Sequence, residues 1–267
     1  MRPLGPGRVV APGVRVLGHL ARSHYLDVYD AWCERRACHV VVKTLRPNRL
    51  RDRSSHDSLL REGELLCRLA HPHIVRAYGV HDGARPVIVL ETLGGETLSH
   101  LFHRRQRRLA AVDIAHLGIH LASALAYLHG EGILHLDLKP SNVIADGGRA
   151  KLIDLSLARP PGRMDGGRGT WCNMSPEQAR GGDIGPAADV FGLGTVLWEA
   201  AAGRNPFEDL DAGDEYYPQL IHHAAMVSAR RRVPVRLAQV IDGCLEHEAA
   251  DRPTLDEAIA ELAACAV

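Results

Sequence analysis

The sequence predicts an α+β chain of two lobes: a small β-sheet lobe with one helix, then a larger, mainly α-helical lobe. Three observations carry this. The first ninety residues hold short segments rich in Val, Ile and Tyr, separated by turn residues. A single segment with helical spacing interrupts them. After Gly94-Gly95 the long apolar segments change to helical spacing. The boundaries drawn from this change are 1–93 for the small lobe and 94–267 for the large one.

The expected strands of the first lobe are Val9–Leu20, Leu26–Trp32, His39–Leu45, Ile74–His81 and Pro86–Glu91. Its helix is expected over Ser54–Leu69, with Leu59, Leu65, Leu66 and Leu69 on a partial stripe, stopped before Pro72. In the second lobe, Asp113–Leu128 carries Ile114, Leu117, Leu121, Leu125 and Leu128, an i, i+3/i+4 stripe that ends near Gly130 and Gly132. Ala187–Ala202 is apolar on all sides, which predicts a buried helix. Val235–Leu245 and Leu255–Ala264 are amphipathic. A strand-and-loop region, Gly132–Gly182, separates the first two of these helices.

Composition narrows the function. The 267 residues are 46% apolar and 24% charged, with zero formal net charge and a pI of about 7.3. A neutral chain is not built as a whole to hold nucleic acid or an anionic membrane surface. The longest apolar helix candidate is interrupted by histidines, so no membrane span is expected. The N-terminal MRPLGPGRVVAPG lacks an apolar core segment and reads as a short flexible lead-in. Cys33, Cys38, Cys67, Cys172, Cys244 and Cys265 are scattered without a CxxC, as expected of reduced thiols in a cytoplasmic protein. Cys33, Cys38 and His39 lack the second ligand pair that a structural zinc site needs.

The chemistry concentrates in a few ordered segments. HLDLKPSNV spans His135–Val143, and KLIDLS places Asp154 twelve residues after Asn142. Upstream, VVVK puts Lys43 at a strand end, and REGELL puts Glu62 nineteen residues further on the lone helix. Glu64 is a rival to Glu62; the spacings to Lys43 and Pro72 favour Glu62. Together these motifs resemble the protein kinase family in its bacterial Ser/Thr branch, from about Val14 to Ala264. The resemblance implies a protein-kinase-like fold and an ATP- and Mg²⁺-dependent transfer of a γ-phosphoryl group to Ser/Thr hydroxyls of a protein substrate.

The resemblance also implies residue roles. Lys43 would pair with the α/β-phosphates, held by Glu62. Asn142 and Asp154 would supply hard oxygen ligands for Mg²⁺. Asp137 would orient the attacking hydroxyl, and Lys139 would neutralise the transferring phosphoryl group. Val28, Val41 and Ile144 would sandwich adenine. Leu90, Glu91 and Leu93 would form the hinge that binds the base, and Glu96 would reach the ribose. In GTWCNMSPEQA, Gly169–Ala179, Thr170 would touch Asp137 and Lys139. Glu177 would pair with Arg252, and Asp189 would brace the catalytic loop. Of 32 basic side chains only Lys43, Lys139 and Lys151 are lysine, and two of them fall on the implied catalytic positions. An ammonium there is not interchangeable with a guanidinium, which argues for retained chemistry.

Four departures from the family pattern qualify the reading. Leu136 stands where an arginine would read a phosphorylated activation loop. Between Asp154 and Gly169 the only hydroxyl is Ser156. Both imply a non-RD kinase active without activation-loop phosphorylation. The metal motif reads Asp154-Leu155-Ser156, with Ser in the glycine place. The expected phosphate loop, LGHLARSHYLDVYDAW, keeps one glycine, Gly18; the family's glycines fall on Ala21, Ser23 and Leu26 when counted back from Val28. Weak nucleotide binding is expected, with Arg22, Ser23 or His24 offering side-chain donors. The alternatives are a pseudokinase acting as a nucleotide-binding or scaffolding module, and a kinase-like enzyme acting on a small molecule. HRRQRR, His103–Arg108, reads as a solvated loop or an acidic-partner dock. A regulatory protein partner is expected to supply the input signal; the sequence names no oligomeric state.

Overall fold

The computed structural model describes residues 2–104, 108–211, 213 and 216–266. The chain divides into two compact units, Met1–Gly94 and Gly95–Val267.

The first unit is a sheet of order β1-β2-β3-β4-β6-β5 with one helix. The strands are β1 (Val9–Ala11), β2 (Val14–Arg22), β3 (Leu26–Cys33), β4 (Cys38–Leu45), β5 (Ala77–His81) and β6 (Val87–Glu91); the helix is α1 (Arg53–Arg68). The expected strand Val9–Leu20 is two strands, because Pro12-Gly13 makes a turn in which Gly13 takes φ +67°. The N-terminal segment is also not a free lead-in. Leu4 N donates to the Tyr29 hydroxyl (2.9 Å), Gly7 N to Val16 O (2.8 Å) and Val16 N to Arg8 O (2.9 Å). The strand expected from Ile74 starts at Ala77. Val16, Tyr29, Ala31, Val40, Val42 and Val87 line one fully buried layer of this sheet.

Helix α1 starts where Asp52 accepts from Ser55 N at 3.3 Å, satisfying an N-terminal amide. It packs against β5 and β6 with Gly63 toward the sheet. A Cβ at Gly63 would lie 2.5 Å from Val80 Cγ2 and 2.9 Å from Ile88 Cγ1, so the close approach requires glycine.

The second unit is mainly helical. Its long helices are α2 (Ala111–Gly130), α4 (Ala187–Ala202), α5 (Val235–Cys244) and α6 (Leu255–Ala263). Helix α2 is long and apolar enough by composition to cross a membrane, despite its histidines, with a mean hydropathy of 1.4. It packs instead against α4, α6 and a strand of the unit's own sheet. Helix α4 is buried from Ala188 to Ala201, as its all-round apolar pattern predicts. A three-stranded sheet joins β7 (Glu96–Thr97), β8 (Val143–Asp146) and β9 (Arg149–Leu152). Gly95 lies against it: a Cβ there would sit 1.8 Å from Ala145 O. The expected strand-and-loop region, Gly132–Gly182, also holds β10 (Gly162–Met164) and a short helix, α3 (Pro176–Arg180); β10 pairs antiparallel with β11 (Gly182–Ile184). His100–Arg104 forms one wide helical turn. Of the expected basic loop, Arg105–Arg107 lie outside the described residues.

Candidate active site

In the first unit, strand β4 brings Lys43 to a buried position, and α1 brings Glu62 to meet it. Lys43 Nζ donates to Glu62 Oε1 at 2.7 Å, with both residues under a tenth exposed. Glu62 precedes Gly63, so the glycine that lets α1 approach the sheet also sets this ion pair. Val28 stands opposite Lys43 on β3, and Val41 opposite Leu90 on β6; both valines are half-buried. Glu91 closes β6 by giving its N–H to Arg76 O (2.9 Å) and accepting from Arg76 N on its carboxylate (2.9 Å). Leu93 follows, half-buried.

The β2–β3 hairpin occupies the place of the glycine loop, and a buried carboxylate organises it. Asp27 has no exposed surface. It accepts from Arg22 Nε (2.6 Å), Arg22 Nη2 (2.9 Å) and the Tyr29 hydroxyl (3.2 Å), and His19 Nε2 lies 3.1 Å away. Burial alone would raise the Asp27 pKa; the hydrogen bonds from Arg22 and His19 outweigh it and hold the carboxyl below the usual range. The Ser23 hydroxyl accepts from Leu26 N (3.1 Å), and His24 Nε2 lies 3.0 Å from Arg49 Nη2. Arg22, Ser23 and His24, the side chains expected to offer donors to phosphate, each have a partner within the small unit. The register skips Leu17 and Leu20, two β-bulges that leave both leucines exposed.

In the second unit a compact polar cluster forms around Asp137. Thr170 donates its hydroxyl to Asp137 Oδ1 (2.6 Å) and accepts from Lys139 Nζ (2.5 Å). Lys139 Nζ lies 2.7 Å from Asp137 Oδ2. Asn142 Nδ2 donates to Asp137 O (2.9 Å) and Oδ2 (3.1 Å). The β8–β9 register pairs Val143 with Leu152, and Ile153 N donates to Asn142 O (3.0 Å), which sets Asn142 beside the strand end that leads into Asp154. Asp154 Oδ1 accepts from Ser156 N (2.9 Å). Ile144 sits on β8 opposite Thr97 and Lys151. Glu96 is on β7, its Oε2 3.7 Å from His100 Nε2.

The loop before Asp137 is held from below. Asp189, 1% exposed at the start of α4, accepts from His135 N (2.8 Å) and Leu136 N (2.7 Å) and lies 2.8 Å from His129 Nε2. These bonds fix Leu136 at φ +62°, a conformation that a branched side chain rarely adopts. Arg252 holds Glu177 bidentately at 2.7 and 2.9 Å. Burial raises the Glu177 pKa, but the Arg252 hydrogen bonds and charge lower it more, for a net drop. A cavity of about 350 Å³ adjoins the cluster, with Lys139, Thr170, Cys172, Glu199 and Glu208 among its lining. Burial, then the charges of Glu208 and Glu199, push the Cys172 thiol up to about 12, which makes it a poor nucleophile. Burial also raises Glu199, against the opposing effect of His103 at 3.0 Å.

The sequence reading missed Gly63, His129 and Gln178. Gly63 adjoins Glu62, and a glycine inside a helical stripe is the one local signal of close packing. His129 and Gln178 act through contacts distant in sequence and leave no local pattern.

The protein kinase domain model matches residues 16–262 of this chain. The chain therefore belongs to the protein kinase domain family. Among its relatives, the Probable serine/threonine-protein kinase SCO3848 of Streptomyces coelicolor is 34% identical over 203 residues, covering 70% of this chain and 30% of the relative. Serine/threonine-protein kinase PkaA of the same organism is 34% identical over 229 residues, 81% of this chain and 41% of the relative. Serine/threonine-protein kinase PknB of Mycobacterium tuberculosis is 34% identical over 188 residues, 63% and 29% respectively. The chain thus spans less than half the length of these relatives.

Proposed function

We propose that this chain transfers the γ-phosphoryl group of ATP to Ser/Thr hydroxyls of a protein substrate, without prior phosphorylation of its activation segment. The observation that carries the reading is the Asp137 cluster. A carboxylate, an ammonium and a hydroxyl meet within 2.5–2.7 Å of one another. In this reading an acceptor hydroxyl takes the position at Asp137 that Thr170 now marks. Asp137 orients it and accepts its proton, and Lys139 offsets charge on the transferring group. Lys43, kept in place by Glu62, grips the α/β-phosphates. Val28, Val41 and Ile144 contact the base, with Leu90, Glu91 and Leu93 as the hinge.

The donor set fits magnesium. Asn142 uses its amide hydrogens on Asp137, which leaves the amide oxygen to ligate, and Asp154 adds a carboxylate. Both are hard oxygen donors. Mg²⁺ held there would neutralise charge on the β- and γ-phosphates. Cytoplasmic ATP and reduced thiols suit this reading, and so does a regulatory protein partner. Zero net charge gives no general attraction to nucleic acid or membrane.

A second reading is supported by the hairpin. With Arg22 and His24 engaged and no glycine run, a binding module without transfer would retain this architecture. Radiolabel transfer from ATP to a generic acceptor separates the two. Phosphatase-treated wild type is expected to transfer, and Asp137→Asn and Lys43→Met are expected to lose transfer. Nucleotide-induced thermal stabilisation with no transfer by wild type would sink the enzyme reading in favour of the module.

A further inference from the structure

We infer that Met164 is a positioning residue, which fastens the activation segment onto the catalytic loop by apolar packing in place of a charge-to-phosphate contact. The inference deepens the proposed phosphorylation-independent activity and rests on it. Leu136 is the apolar side chain of the catalytic loop that meets the segment beside the polar Asp137 cluster. Its side chain is 4% exposed and packs in a cluster with Leu134, Met164, Ile184 and Ala188. Its N–H is held by Asp189, and its carbonyl accepts from Gln178 Nε2 at 2.9 Å.

The same cluster is tied to the segment along its length. Leu134 and Arg159 exchange backbone bonds of 2.8 and 3.1 Å. Strand β10 pairs with β11 in the register Gly162↔Ile184, Arg163↔Asp183 and Met164↔Gly182. Gln178 also reaches Arg168 O (3.4 Å), and Gly167 N donates to Gln178 O (3.0 Å). Met164 is the buried side chain that the segment itself contributes to this cluster, at 6% exposure. A leucine at positive φ persists only where its surroundings fix it. Met164 supplies the apolar part of that surrounding beside the Asp189 and Gln178 bonds, so its removal loosens Leu136 and, one residue on, Asp137. The contact carries no charge, so neither phosphatase nor salt weakens it.

The test compares phosphatase-treated wild type, Met164→Ser and Met164→Leu, each as the full chain. Amide exchange is read over 134–140, 162–169 and, as a control, α4. In Met164→Ser, exchange in the first two segments is expected to rise about tenfold or more while α4 stays protected. Transfer kcat is expected to fall about tenfold while KM for ATP changes less than about twofold, since nucleotide binding is untouched. Met164→Leu conserves volume and apolarity and is expected to restore both readouts. Unchanged protection of the two segments in Met164→Ser overturns the inference. So does equal loss across α4, or a Met164→Leu that behaves like the serine variant. If wild type transfers nothing, the enzyme reading fails, and the exchange comparison still decides whether Met164 is the fastener.

Discussion

Gly63→Ala sets helix propensity against close packing. Alanine at an interior helix position is favoured over glycine by about 1 kcal/mol. The new methyl would stand 2.5 Å from Val80 Cγ2 and 2.9 Å from Ile88 Cγ1. Neither partner gives way easily: Ile88 is fully buried, and valine has a single stiff side-chain torsion. Overpacking of this kind costs about 1–3 kcal/mol, so a net loss of about 1 kcal/mol is expected. Relief to an ordinary contact near 3.5 Å moves α1 outward by about 1 Å. That displacement would stretch the 2.7 Å Lys43–Glu62 bond beyond hydrogen-bonding range. Urea denaturation reads the first effect, and KM for ATP, expected to rise about tenfold, the second. A Gly63→Ala chain with a higher denaturation midpoint and an unchanged KM would refute the close-approach argument.

Asp27 gives a pH test. Its folded pKa lies below the unfolded value, so its stabilisation is present above about pH 4 and is lost as pH falls through the folded pKa. Asp27→Asn is expected to lower stability at neutral pH by about 1.5–3 kcal/mol and to lose part of the acid-side slope, as measured by thermal melts from pH 7 to 3. Arg252→Ala leaves Glu177 without its guanidinium. With the Arg252 side chain fully buried, a loss of about 3–5 kcal/mol is expected by denaturant titration, and a loss below about 1 kcal/mol would contradict the pair's structural role.

The sequence carried the fold where periodicity was strong. The buried helix Ala187–Ala202 lies on its expected residues, because an apolar stretch of that length has one way to bury itself. The resemblance, carried by the order and spacing of the motifs, implied the pairing of Lys43 with Glu62 and the grouping of Thr170 with Asp137 and Lys139 that the structure holds. The sequence left the strands of Gly132–Gly182 unassigned, because β10 and β11 pair over three residues each, too few to show an alternation. It placed the first hairpin but not what holds it. Missing glycines are visible in a sequence; a carboxylate that gathers Arg22, His19 and Tyr29 across two bulges is not.

That hairpin has a thermodynamic consequence. A glycine-rich loop is loose before a ligand arrives and loses conformational entropy on closing over it. Here β2 and β3 are joined by the Asp27 bonds, and the turn is held by Arg46, whose Nη1 donates to Ser23 O (3.3 Å) and His24 O (3.2 Å). The ordering is complete once the chain has folded. A ligand that docks against this hairpin meets a surface with little disorder left to lose, and with little capacity to mould itself to a different shape.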